Sequence, residues 1–106
     1  MQTDYIFIRT PDMIKRICTE YILFIVVDGD CLTFHMQDNE QFTCMKSLAT
    51  IEKVLPDHFV RIYRNCLVNA NKISEVNVRM RKVILVNGKE LSISFRNMKK
   101  ITSAFA

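Results

Sequence analysis

Apolar residues in this chain come in short runs of strand length, and turn-forming residues stand between them. Tyr5-Ile6-Phe7-Ile8-Arg9 is rich in β-branched and aromatic side chains and stops at Pro11. Residues 13–18 are shorter in apolar content and read as a second strand. Residues 22–27 are apolar without interruption, which predicts a strand buried on both faces. Asp28-Gly29-Asp30 turns the chain, 31–36 follows as a strand, and the polar stretch 37–40 connects it to 41–44. Later, 59–62 resumes strand character, Leu67-Val68 is a brief apolar piece, and Asn69 with Asn71 mark a turn. Val76 and Val78 alternate with Asn77 and Arg79 as a half-buried strand, with 79–82 as the next connection. Runs 83–86 and 90–93 flank Asn87-Gly88-Lys89, where Asn-Gly predicts a type I′ hairpin with positive φ at both residues.

Two stretches change period. Leu48, Ile51 and Leu55 recur at three- and four-residue steps behind Ser47, a good N-cap, and Pro56 ends the pattern. A helix over 48–55 follows, its apolar face turned to the sheets. Ser94 caps a second short helix over 95–104, with Met98, Ile101 and Phe105 on one face. With 106 residues and ordinary globular composition, the chain is read as one domain over 1–106, mainly β.

Charge is unevenly distributed along the chain. Residues 1–60 hold five basic and nine acidic side chains, a net of −4. Residues 61–106 hold ten basic and two acidic ones, a net of +8. The basic set is Arg61, Arg64, Lys72, Arg79, Arg81, Lys82, Lys89, Arg96, Lys99 and Lys100. Such asymmetry fits a polyanionic partner for the C-terminal half, and equally a basic face that keeps a small domain soluble. Cys18, Cys31, Cys44 and Cys66 show neither CxxC spacing nor zinc-ligand spacing to His35 or His58. They read as reduced, mostly buried thiols in a cytoplasmic protein that needs no metal or other cofactor. The N-terminus is acidic and strand-like rather than a secretory signal, and 21–27 is too short to span a bilayer.

Catalysis finds little support. Acid–base work needs paired carboxylates or a histidine held beside a second group. Asp4, Asp12, Asp28, Asp30, Asp38 and Glu40 fall mostly in turns, His35 lies on a strand, and no glycine-rich nucleotide loop exists. The chain is read as a non-enzyme without a small-molecule substrate.

The informative stretch is Phe59-Val60-Arg61-Ile62-Tyr63-Arg64-Asn65-Cys66-Leu67-Val68-Asn69. Its apolar positions anchor a strand and turn, and Arg61, Tyr63, Arg64 and Asn65 stand between them. Arginine pairs with guanine and asparagine with adenine through two hydrogen bonds each. On chemistry alone, surface salt bridges of little energetic worth account for the same residues.

This run resembles the LytTR signature, roughly F-x-R-V-H-R-S-Y-L-V-N followed by isoleucine. Phe59, Arg61, Arg64, Leu67, Val68, Asn69 and Ile73 match it. Residues 20–25 resemble the family's D-I-L-Y-I-E strand, and Asp28-Gly29 falls where the family often has glycine and asparagine. Residues 47–56 are similar to its S-L-x-x-L-E-x-x-L-P helix, and 87–94 to its N-G-x-x-L-P-I-S ending. The resemblance implies an elongated β-β-β stack of about ten strands with one or two short helices. It implies sequence-specific binding of double-stranded DNA by loops in the major groove, for transcriptional regulation. The setting would be the output domain of a two-component regulator, downstream of a receiver, or a stand-alone regulator. Dimeric or tandem binding to promoter direct repeats goes with it.

Carried onto this chain, the base-contacting positions are Asp30 and Thr33, Arg64 and Asn65, and Arg96 and Asn97. The phosphate positions are Lys99 and Lys100, helped by Arg61 or Lys72, with Ser94 and the amides after it as an anion site. Tyr63 replaces the usual histidine, Asn65 the serine, Cys66 the tyrosine, and Cys31 a tyrosine or histidine. Buried structural cysteine is the commoner role and the one read for 31 and 66; a surface thiol there, the lesser alternative, would allow oxidation to tune binding. The alternative to DNA recognition is a β-rich protein-interaction module with a basic face.

Overall fold

The uninterrupted apolar run becomes β3, the middle strand of the molecule, in a computed structural model that describes residues 4–105. In chain order the strands are β1 (Tyr5–Arg9), β2 (Ile14–Cys18), β3 (Ile22–Asp28), β4 (Cys31–Met36) and β5 (Gln41–Cys44). Helix α1 (Leu48–Val54) follows, then β6 (Phe59–Tyr63), β7 (Cys66–Asn69), β8 (Ile73–Asn77), β9 (Lys82–Leu85) and β10 (Glu90–Ser92). Helix α2 (Met98–Ala104) comes last, behind a 3₁₀ turn over Phe95–Asn97. The ten strands form three antiparallel sheets: β1-β2, the five-stranded β5-β4-β3-β7-β6, and β10-β9-β8. Principal extents of 44 × 29 × 25 Å make the stack elongated.

The five-stranded sheet is covered on both faces, which is why β3 has no polar alternation. On one face, Ile6, Ile8 and Ile17 of the two-stranded sheet meet Ile25, Phe34 and Leu67, and α1 adds Leu48 and Ile51. On the other, Phe24, Ile62 and Val68 meet Val83, Leu85 and Ile93, and α2 adds Ile101. A bulge in β3 sorts its residues between the two cores. Ile22 pairs with Met36 and Phe24 with His35, so Leu23 is the extra residue. Leu23 and Phe24 consequently both pack into the second core, while Ile22 and Ile25 pack into the first.

Side-chain caps hold the connections. Ser47 Oγ accepts the Thr50 amide at 3.1 Å, closing the start of α1. Ser47→Ala is expected to cost about 1 kcal/mol of stability, read as a lower urea midpoint at constant slope. Asn69, buried at the end of β7, donates to the Ile22 carbonyl at 2.9 Å and accepts the Asn71 amide at 3.0 Å. It ties β7 to the start of β3 and turns the chain into the 3₁₀ segment Ala70–Lys72.

Several local expectations are corrected. Leu67-Val68 is the centre of a strand that also takes in Cys66 and Asn69. The strand expected through Val78 and Arg79 stops at Asn77, whose Oδ1 accepts the Met80 amide at 2.9 Å and bends the chain into a turn. Val78 is left exposed there, and Lys82 belongs to β9 rather than to the connection. The Asn87-Gly88 hairpin is not type I′, because Gly88 alone has positive φ, at 89°. The Gly88 amide donates to Leu85 O at 2.8 Å and the Leu85 amide to Lys89 O at 2.9 Å. This is a three-residue loop closed by a left-handed residue. The β4–β5 hairpin repeats it with Asn39 (φ 71°), Met36 and Glu40. In α2, Ile101 is fully buried and Met98 packs beside it, but Phe105 is half-exposed and lies off the core.

Candidate nucleic-acid interface

Antiparallel pairing delivers a set of connections to one end of the stack. β3 ends at Asp28 opposite Cys31, and its Val26 pairs with Cys66, the first residue of β7. The β3–β4 turn and the β6–β7 turn therefore lie side by side, and the Val27 amide donates to Asn65 O at 2.9 Å. On the other side of β6, the Ser94 amide donates to Ile62 O at 2.8 Å and the Ile93 amide to Arg81 O at 2.8 Å. These two bonds bring the segment around Arg96 and the β8–β9 turn beside Arg64. The β1–β2 turn joins the same end, since Arg9, Thr10, Cys31, Thr43 and Lys46 line one cleft.

Arg64 and Arg96 are both exposed on this end. Among the described residues, ion pairs join Arg61 to Glu52 at 3.1 Å and Lys82 to Glu90 at 3.5 Å, and neither involves those two arginines. Arg61 is a brace. Its Nη1 donates to the Arg64 carbonyl at 2.7 Å while Nη2 holds Glu52 of α1, so it shapes the turn that carries Arg64 and Asn65. Asn65 is exposed beside Arg64, and Asp30 is exposed in the β3–β4 turn. Lys99 and Lys100 are exposed in the first turn of α2.

Other sequence candidates sit elsewhere. Thr33 is half-buried inside β4, between Val26 and Thr43, rather than at a loop tip. Asn97 is buried, and its side-chain amide donates to Ser94 Oγ at 2.8 Å. Ser94 Oγ also accepts the Asn97 backbone amide at 3.3 Å, so this pair closes the start of the last helical segment. Lys72 lies at the far end of the stack, where its carbonyl accepts the Val86 amide at 2.9 Å. Lys89 is near it, in the cleft with His35 and Asn87. Hence the basic half of the sequence is not a basic half of the molecule.

Residues 12–106 match the family described as the LytTr DNA-binding domain. The chain belongs to the LytTr DNA-binding domain family. The structure is also similar to a solved one, the LytTr DNA-binding domain described as that of a methyl-accepting/DNA response regulator from Bacillus cereus. That match has a TM-score of 0.83 at 18% identity and covers 98% of each chain. No curated protein matches the chain in sequence. DNA binding in transcription regulation is the function that goes with the family, whose fold is a DNA-binding rather than a catalytic one.

Within this LytTr domain the departures from the signature acquire physical roles. Tyr63 and Cys66 pair across the β6–β7 turn, with Tyr63 half-buried against the second core. Burial pushes the Cys66 thiol up to about 12. Cys66 is fully buried, the structural placement expected of most of these thiols. Cys31, at the mouth of β4, is half-buried. His35 stacks on the Phe24 ring with centroids 4.2 Å apart. Burial, then the charge of Lys89, hold its pKa below the ordinary histidine value.

Four cations at this end were not singled out by the sequence as site residues: Arg79 and Arg81 on the β8–β9 turn, Arg9, and Lys46. The β8–β9 turn carried a readable signal, since a tight connection with two arginines at its tip is a place where binding residues sit. Arg9 and Lys46 carried none, because only sheet stacking brings them here. Among the described residues, no helix is long and apolar enough to cross a membrane, and no histidines, cysteines and carboxylates group to hold a metal ion.

Proposed function

We propose that this domain recognises a specific double-stranded DNA sequence by setting the loops of its arginine-bearing end into the major groove. The observation that carries the reading is the pairing of Arg64 and Arg96. Both are exposed, neither has a carboxylate partner among the described residues, and the Ser94–Ile62 bond joins the segments that bear them. A guanidinium free of internal partners keeps its donors for guanine O6 and N7. Asn65 and Asp30 stand beside them as adenine and cytosine partners. Lys99, Lys100 and the β8–β9 turn supply phosphate contacts, which fix position without reading sequence. Arg61 acts through the turn it braces, Asn97 and Ser94 through the helix start they close, and Lys72 stands apart from the contact. Two copies on direct repeats in a promoter would place two such ends on one face of the duplex. The module then serves as the cytoplasmic output of a two-component regulator or as a stand-alone regulator.

Titration of a labelled duplex recovered from a randomised pool, against an unrelated duplex, over a range of salt tests this reading. Preference for the recovered duplex should persist while affinity for both falls steeply with salt. Lys99→Ala and Lys100→Ala should weaken both duplexes alike, each lowering the slope of log K against log salt by about 0.9. Binding that ignores sequence at every salt sinks the reading and favours a basic protein-interaction module.

A further inference from the structure

We infer that Phe95 is a specificity-determining residue, its ring set to meet the C5 methyl group of a thymine beside the base read by Arg96. This rests on the reading of the arginine-bearing end as the DNA-contacting surface. Phe95 is 82% exposed, more than any other large apolar side chain described. It is nevertheless held in place. The Ile93 and Ser94 amides before it are bonded to Arg81 and Ile62, and Ser94 and Asn97 close the turn that contains it. The backbone presents the ring, and no element of the fold covers it. Nothing in the second core uses it, since that core takes Ile93 and Ile101 on either side and leaves Phe95 out.

Its surroundings select the partner. The Arg81 guanidinium lies over the ring, 5.8 Å from its centroid, and Arg96 follows it in the chain. Arg64 stands across the Ser94–Ile62 bond. An apolar ring among three exposed arginines suits a polyanion with an apolar group recessed in it, and repels a second basic surface. In the major groove of duplex DNA that apolar group is the thymine methyl. A stacking platform for unpaired bases fits less well, because Arg81 takes one ring face and platforms line up several aromatics along a groove. A wedge between base steps works from the minor groove, which does not display the methyl.

The experiment selects duplexes from a randomised pool with the unmodified chain and with Phe95→Ala, then replaces each thymine of the recovered duplex singly by deoxyuridine. Deoxyuridine lacks only the C5 methyl. The Phe95→Ala chain should unfold at the unmodified temperature, as its ring supports no core. We expect one thymine in each half-site whose replacement weakens the unmodified chain about fourfold, the worth of one buried methyl. Phe95→Ala should bind the thymine duplex at least that much more weakly and be indifferent to the replacement. Phe95→Leu should keep part of the preference. If a duplex is recovered but no thymine couples to position 95, this inference falls and sequence recognition stands. The same holds if Phe95→Ala weakens all duplexes equally, or leaves DNA preference intact while abolishing self-association. If the unmodified chain recovers no preferred duplex, both readings fall together.

Discussion

In titrations against a selected duplex, Arg64→Ala and Arg96→Ala are each expected to lose about 1–3 kcal/mol of binding free energy and to relax preference at one base position. The size follows from what is removed. Each arginine is exposed and without a carboxylate partner among the described residues, so its fork of donors is available to the partner at no internal cost. On the proposed reading, alanine would remove two parallel hydrogen bonds and leave the guanine acceptors without protein donors. The fold should not change, since neither side chain contributes to a core. Arg61→Ala makes the contrast. It strips a brace from the turn and leaves Glu52 unpaired, so its loss should track stability and turn geometry rather than one base. If Arg64→Ala weakens every duplex by the same factor, with preference intact, Arg64 touches phosphate and not a base edge.

Phe34→Ala is expected to destabilise the domain by about 3–5 kcal/mol, measured as the urea midpoint with the slope unchanged. Phe34 is fully buried at the centre of β4, between Ile25 of β3 and Phe42 of β5, and it belongs to the first core. Removing its ring leaves a void that the strands cannot collapse into, because β4 is held by neighbours on both sides. For a domain of this size, total stability is about 5–15 kcal/mol, so the variant should be partly unfolded at physiological temperature. A loss below about 1 kcal/mol would mean that the two-stranded sheet closes onto the gap. DNA binding by whatever fraction remains folded should be little changed, since Arg64 and Arg96 lie on turns whose strand and helix neighbours, Ile62, Ile93 and Ile101, pack in the second core and not around Phe34.

Much of the strand layout was readable because one face or both faces of each strand are buried, and burial imposes its period on residue type. β1, β4 and β5 have the bounds expected from the sequence. Errors fell where side-chain-to-backbone bonds decide the path. Asn77 stops β8 early, and Asn87 Oδ1 accepts the Lys89 amide in a turn where Gly88, not Asn87, has positive φ. The candidate site was legible only in part. Arg64, Asn65 and Arg96 stood out through a signature, and all are exposed on one end. Thr33, Asn97 and Lys72 stood beside them in sequence reasoning. The fold puts the first inside a strand, the second in a cap and the third at the far end.

From the sequence alone came the mainly β class, the short helix behind Ser47, the family and the arginines to suspect, because periodicity and signature are local and survive without contacts. Only the folded chain decided which cations gather, since antiparallel strands send alternate connections to opposite ends and residues adjacent in sequence can part by the length of the stack. The same stacking leaves Phe95 uncovered and Arg61 engaged, distinctions that depend on what lies across a sheet rather than along a chain.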